Sequence, residues 1–117
     1  MGRDLQYLLD ILQSAELILT YMNQCSREDF TTNLQLQDAV IRRLLIIAET
    51  AKRISEQARQ SLPTIPWQEI NGMRNRLVHE YDDINLSIVW NVVETELPVL
   101  IQELKALIPP ETGTTPL

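Results

Sequence analysis

Residues 33–60 read NLQLQDAVIRRLLIIAETAKRISEQARQ, from Asn33 to Gln60, and this stretch decides the fold class. Leu36, Val40, Leu44, Ile47, Ala51, Ile54 and Ala58 recur at steps of three and four, the spacing of one face of an α-helix. Ile41, Leu45 and Ala48 add a second apolar strip beside the first. A helix apolar over this much of its circumference needs two burial partners. One is the core of its own subunit; the other is expected to be a second subunit. The stretch therefore predicts a long central helix from about Asn33 to Gln60 and a homodimer.

Upstream, Leu5, Leu8, Leu12, Ala15, Leu19 and Met22 carry the same helical period. Asp4 is the expected N-cap, and the helix is expected to end near Asn23. Ser26-Arg27-Glu28-Asp29 follows, where Ser26 can cap a short turn and Asp29 complements its N-terminal dipole. Downstream, Pro63 and Pro66 break the chain, and Pro66 suits the first turn of a new helix. This third helix is predicted from Pro66 to Glu80, with Trp67, Ile70, Met73 and Leu77 on its apolar side. Asp82-Asp83 reads as a turn and Asn85 as the N-cap of a last helix over Leu86–Leu107. There Val89, Val92, Val93, Leu97, Leu100, Leu104 and Leu107 are expected to face inward, and Pro98 to remove one backbone hydrogen bond and bend the helix. The sum is an all-α, four-helix up-and-down bundle with one extra short helix. The predicted domain is 1–108, and residues 109–117 are expected to form a disordered tail.

Composition agrees with a single helical domain. The chain has 117 residues, 44% of them hydrophobic, and only three glycines. No apolar run reaches the roughly 18–20 residues that span a bilayer. Met1-Gly2-Arg3-Asp4 does not begin a secretory signal, and Gln6 breaks the myristoylation pattern, so the expected location is cytoplasmic. The lone Cys25 can form neither an internal disulfide nor a zinc site. A net charge of −6 argues against coating nucleic acid by bulk electrostatics, so the placement of the positive charges matters more than their sum.

Glycine-rich phosphate loops, metal-ligand clusters and serine elbows are missing from the sequence, and no cofactor is expected. The one histidine lies in Met73-Arg74-Asn75-Arg76-Leu77-Val78-His79-Glu80-Tyr81. Imidazole exchanges protons near neutral pH, and guanidinium groups hold phosphates in bidentate fashion. On a continuous helix Asn75 stands four residues before His79 and can orient its ring. Arg74 and His79, five residues apart, would point about 140° away from each other on such a helix. Two copies of the helix brought together in a dimer would resolve that conflict. Imidazole plus guanidinium suffices for metal-free RNA cleavage, in which a ribose 2′-OH attacks the adjacent phosphate and the cation stabilises the transition state. The same residues also suit a structural histidine on a solvated Arg-Asn-Arg face, with Tyr81 packing at the helix end.

Arg74-x4-His79-x-Tyr81 resembles the motif of HepT-type proteins of the HEPN superfamily. Gln37–Arg43 and Ile47–Arg53 resemble the family's long central helix. Ile65-Pro66-Trp67 with Gly72–Asn75 resembles its approach to the site, and Val89-Trp90 with Glu96-Leu97-Pro98 its last helix. The likeness covers roughly residues 3 to 108. It implies a helical homodimer with a composite cleft, in which Arg74 and His79 are the RNase residues supported by Asn75 and Arg76. It further implies a toxin whose partner is an MntA-like nucleotidyltransferase antitoxin, which neutralises it by transferring AMP to Tyr81. Glu80 stands where many relatives have Gly, a charge that favours protonated His79 and repels phosphate. The alternative is a non-catalytic helical module that is partner and substrate of such a nucleotidyltransferase.

Overall fold

The computed structural model describes residues 2–78 and 83–108, and all of its regular elements are helices. Helix α1 spans Gly2–Tyr21 and α3 spans Leu34–Lys52, with the short α2, Arg27–Thr32, between them. Next come α4 (Glu56–Ser61), α5 (Trp67–Asn71) and α6 (Met73–Leu77). The last stretch is α7 (Leu86–Asn91), a π-helical turn over Val92–Glu96, and α8 (Leu97–Leu107). The predicted tail, residues 109–117, lies outside the described residues.

The expected stripe of α3 is the centre of the core. Val40, Leu44, Ile47, Ala51 and Ile54 are all buried, while Leu36 is half-buried. α1 lies antiparallel to it, since Ser55 meets Asp4 at one end and Arg43 donates to Ser14 Oγ at 3.5 Å further along. The buried face of α1 is Leu8, Ile11, Ala15, Ile18 and Met22. Leu5 and Leu19, expected inside, are more than a third exposed. Two helical faces fit the same apolar composition, and packing on α3 selects the one centred on Ile11 and Ile18. α8 closes the core with Leu97, Leu100, Ile101 and Leu104, and Lys105 pairs with Glu16 of α1 at 3.2 Å. Leu107, also expected inside, is 40% exposed.

Caps set the shorter elements. Ser26 and Asp29 form a reciprocal capping box at α2: the Asp29 N–H donates to Ser26 Oγ and the Ser26 N–H to Asp29 Oδ2. Gln37, buried at the start of α3, donates to the carbonyls of Phe30 and Thr31 at 2.9 and 3.0 Å. Asn33 and Asn85 cap α3 and α7 through their side chains. Phe30 packs against Trp90 with ring centroids 6.0 Å apart, and the Arg27 guanidinium donates to Ser87 Oγ at 3.2 Å. α2 is thereby fastened to α7 as well as to α3.

Three predicted elements are divided or displaced. The central helix stops at Lys52, and Ser55 caps a separate α4 by accepting from the Ala58 N–H. Asp4 does not cap α1, since the helix already includes it. Its carboxylate instead accepts the Ser55 N–H at 3.0 Å and the Ser55 hydroxyl at 2.8 Å, which fixes the break. The third helix is split at Gly72 and ends at Leu77, short of the expected Glu80. Pro98 is accommodated at the first turn of α8 by the π turn before it, in which the Leu97 N–H reaches the Val92 carbonyl. The wider turn accommodates a residue that has no N–H to offer, and Thr95 Oγ1 donates to the Asn91 carbonyl at 2.7 Å.

Candidate active site

The sequence Gly72-Met73-Arg74-Asn75-Arg76-Leu77 is too short to hold a helix by itself, because nucleation is costly. Its anchors are tertiary. Met73 and Leu77, four residues apart, are buried and turn one side of α6 into the core. At its start the Arg76 N–H donates to the Gly72 carbonyl. A Cβ at Gly72 would meet the Gln68 carbonyl oxygen at 3.3 Å, so the close passage from α5 to α6 suits a residue without one. The Trp67 indole N–H, donating to the Leu62 carbonyl at 3.0 Å, fixes the start of α5.

With Met73 and Leu77 inside, Arg74 and Asn75 lie on the exposed side of α6. Arg76 does not share that position. Its guanidinium forks onto the Glu96 carboxylate, Nη1 to Oε1 at 3.0 Å and Nη2 to Oε2 at 2.5 Å, with both side chains about a third exposed. Hydrogen bonding to Glu96 pushes the Arg76 pKa up, against a smaller opposing effect of burial, and the charges of Glu96 and Glu69 add to the rise. Arg76 is therefore a fixed cation joining α6 to the π turn. Of the two arginines in the motif, Arg74 is the one displayed outward.

After Leu77 the backbone turns extended at Val78 and pairs antiparallel with Ile84. The Asn85 N–H also donates to the Leu77 carbonyl at 2.8 Å. The exit from α6 and the entry into α7 are thus held side by side. The helical spacing expected between Asn75 and His79, and the angle expected between Arg74 and His79, required a helix through Glu80; that helix ends at Leu77. His79, Glu80 and Tyr81 themselves lie outside the described residues.

The second apolar strip of α3 leads to the same place. Ile41 and Leu45 are half-buried and, with Asp38, Arg42, Glu49 and Ile84, line a shallow groove that reaches the Val78–Ile84 pairing. The Cys25 Sγ–H donates to the Ser26 carbonyl, and burial, with the Asp29 charge, pushes the thiol pKa up. Among the described residues no three His, Cys, Asp or Glu side chains are grouped to hold a metal ion, and no helix is long and apolar enough to cross a membrane.

Glu96 is the residue that sequence reading did not single out as part of the site. A half-buried arginine calls for a carboxylate partner, but nothing in a single sequence selects Glu96 over the other acidic residues.

The family described as Ribonuclease HepT-like matches residues 11–107. A "Putative RNase" of Caldanaerobacter subterraneus subsp. tengcongensis is 36% identical over 105 residues, covering 90% of this chain and 94% of that one. A "Probable ribonuclease HepT" of Thermococcus cleftensis is 37% identical over 94 residues, covering 80% and 86%. A Methanocaldococcus jannaschii protein named "Gamma-glutamylcyclotransferase and putative RNase" is 40% identical over 105 residues, and this chain spans 47% of its length. No solved structure matches significantly. The all-helical fold and the matches over nearly the whole helical region agree: the chain belongs to the HepT-like ribonuclease family.

Proposed function

We propose that this protein is a metal-independent endoribonuclease toxin that works as a homodimer, with Arg74 and His79 as its catalytic residues. The observation that carries the reading is the placement of Arg74, the first residue of Arg-x4-His-x-Tyr, on the exposed side of a helix in a chain of this family. His79 takes the proton of a ribose 2′-OH. The 2′ oxygen bonds to the adjacent phosphorus, the bond to the 5′ oxygen breaks, and the leaving oxygen receives a proton. Arg74 stabilises the charge that builds on the phosphorane oxygens. Asn75 orients the site and Arg76 supports it. The half-buried strip of α3, running to the Val78–Ile84 pairing, supports a second subunit docking there and completing a composite cleft. Control falls to an MntA-like nucleotidyltransferase antitoxin: the Tyr81 phenol attacks the α-phosphate of ATP and pyrophosphate leaves. The bulky anionic adduct then blocks a cationic cleft.

The test is RNA cleavage in EDTA by protein prepared without the antitoxin, with mass spectrometry confirming an unmodified Tyr81. Wild type is expected to cleave, and His79→Ala to lose about 10²–10⁴-fold in rate. The net charge of −6 favours a second reading, a non-catalytic partner of the nucleotidyltransferase. Intact RNA after incubation with unmodified wild-type dimer, across several RNA classes, would remove the ribonuclease reading and favour that one instead.

A further inference from the structure

We infer that Glu96, from the π turn, is a positioning residue for the ribonuclease site, acting through Arg76; the inference rests on the ribonuclease reading above. Three observations combine. α6 has five residues, so its orientation is set from outside. Two of its contacts, Met73 and Leu77, are apolar and hold one side inward. The paired hydrogen bonds from Arg76 to Glu96 are a directional side-chain restraint on α6. Arg76 lies two positions after Arg74 and three before His79, so a shift of the fork is carried directly into the motif.

The π turn explains why the carboxylate is in reach. Glu96 is its last residue, immediately before Leu97-Pro98. A wide turn sets the following residues at an angle that a regular helix through Asn91 would not give them. Val92 and Val93 remain buried while Glu96 meets Arg76. Glu69, on α5, adds a second negative charge that acts on Arg76. The pairing ties Arg76 to the π turn. Positioning on this scale matters for catalysis, since a misplacement of about 1 Å can cost on the order of 10²-fold in rate.

The experiment is a double-mutant cycle on RNA cleavage at saturating RNA, using the full chain, with Glu96→Gln, Arg76→Gln and the double variant. Folded fraction is checked by circular dichroism, and amide hydrogen exchange is followed over residues 73–78. Each single variant is expected to lower kcat about 10–100-fold with KM changed less than about threefold. The double variant is expected to be no slower than the slower single one, and exchange over 73–78 to rise in all three. If Glu96→Gln does not fold, Glu96→Asp, which keeps the charge but shortens the reach, takes its place with the same expected kcat loss. A folded Glu96 variant with wild-type kcat overturns the inference while leaving the ribonuclease reading intact. So does an Arg76→Gln effect confined to KM, which would make Arg76 an RNA contact. A wild type that cleaves no RNA removes the ribonuclease reading and this role together.

Discussion

Arg74 and Arg76 stand two residues apart in the same short helix and meet opposite surroundings. Their substitution should separate accordingly. Arg74→Ala is expected to lower RNA cleavage by about 10²–10³-fold, the usual cost of one transition-state charge stabiliser. Arg76→Ala should lower stability by on the order of 1 kcal/mol, because a partly exposed ion pair is worth little even when forked. RNA cleavage by the first variant and urea unfolding of the second check the two statements. Asp4 supplies a pH signature. Hydrogen bonds from the Ser55 backbone and then its hydroxyl hold the Asp4 carboxyl below its usual 3.8. The folded state therefore binds that proton less readily than the unfolded one, so the contribution is present above pH 3.8 and is lost as pH falls through the lower folded value. Asp4→Asn should flatten the acid limb of a stability-against-pH curve and leave its slope near neutrality unchanged. The motif residues were legible in the sequence, since a single histidine beside Arg-Asn-Arg concentrates the chemistry in one place. The fork onto Glu96 was not, because twenty residues separate the partners and nothing local links them.

At the level of elements, the long apolar periods were readable and the breaks were not. Ile54 and Ala58 continue the α3 stripe without interruption, so periodicity carries the helix through a point where the backbone turns. The overlooked signal was Ser55 followed by Glu56, an N-cap and first-turn pair that opens α4. Only tertiary structure shows that Asp4, fifty-one residues away, completes that break. Helix α6 fails to reach Glu80 for a related reason: Val78 keeps its N–H on the Arg74 carbonyl but turns extended and pairs with Ile84. Gln37 gives a test on this scale. It joins α3 to the end of α2 through two carbonyls, and Gln37→Leu leaves both, the Phe30 one in a buried contact, without that partner. A loss of about 1–3 kcal/mol is expected in chemical denaturation, against about 1 kcal/mol for Ser26→Ala, which loses only a cap.

For the whole molecule, α3 serves two surfaces. Its inner stripe is the core of the chain, and Leu44→Ala, at a fully buried site, should cost about 2–5 kcal/mol. Its second strip, with Ile41 and Leu45 half-buried between Asp38, Arg42 and Glu49, is where the proposed partner subunit docks. A twofold axis there would set Arg42 of one subunit near acidic residues of the other. Arg42→Glu, at an exposed position, is expected to shift sedimentation from dimer towards monomer while leaving the helical signal unchanged. Wild type sedimenting as a monomer at micromolar concentration would remove the composite cleft. The all-α class was legible from two apolar periods and a scarcity of glycine, and no local signal conflicts with it. The division into four long helices was not, because the turns at residues 53–55 and at Gly72 depend on what each segment meets after the chain has folded.

Counted as an insertion, the π turn is one residue more than a regular helix requires, and Pro98 stands just beyond it. The surplus residue and the proline form a matched pair. Deleting Thr95 alone would restore the ordinary helical register and force the proline ring against the carbonyl four residues back. Replacing Pro98 with Ala alone would let the turn tighten and carry Glu96 away from Arg76. Deletion and replacement together should give an uninterrupted helix more stable than either single change. The last helix thus tolerates a change of length at this position, provided its sequence changes with it.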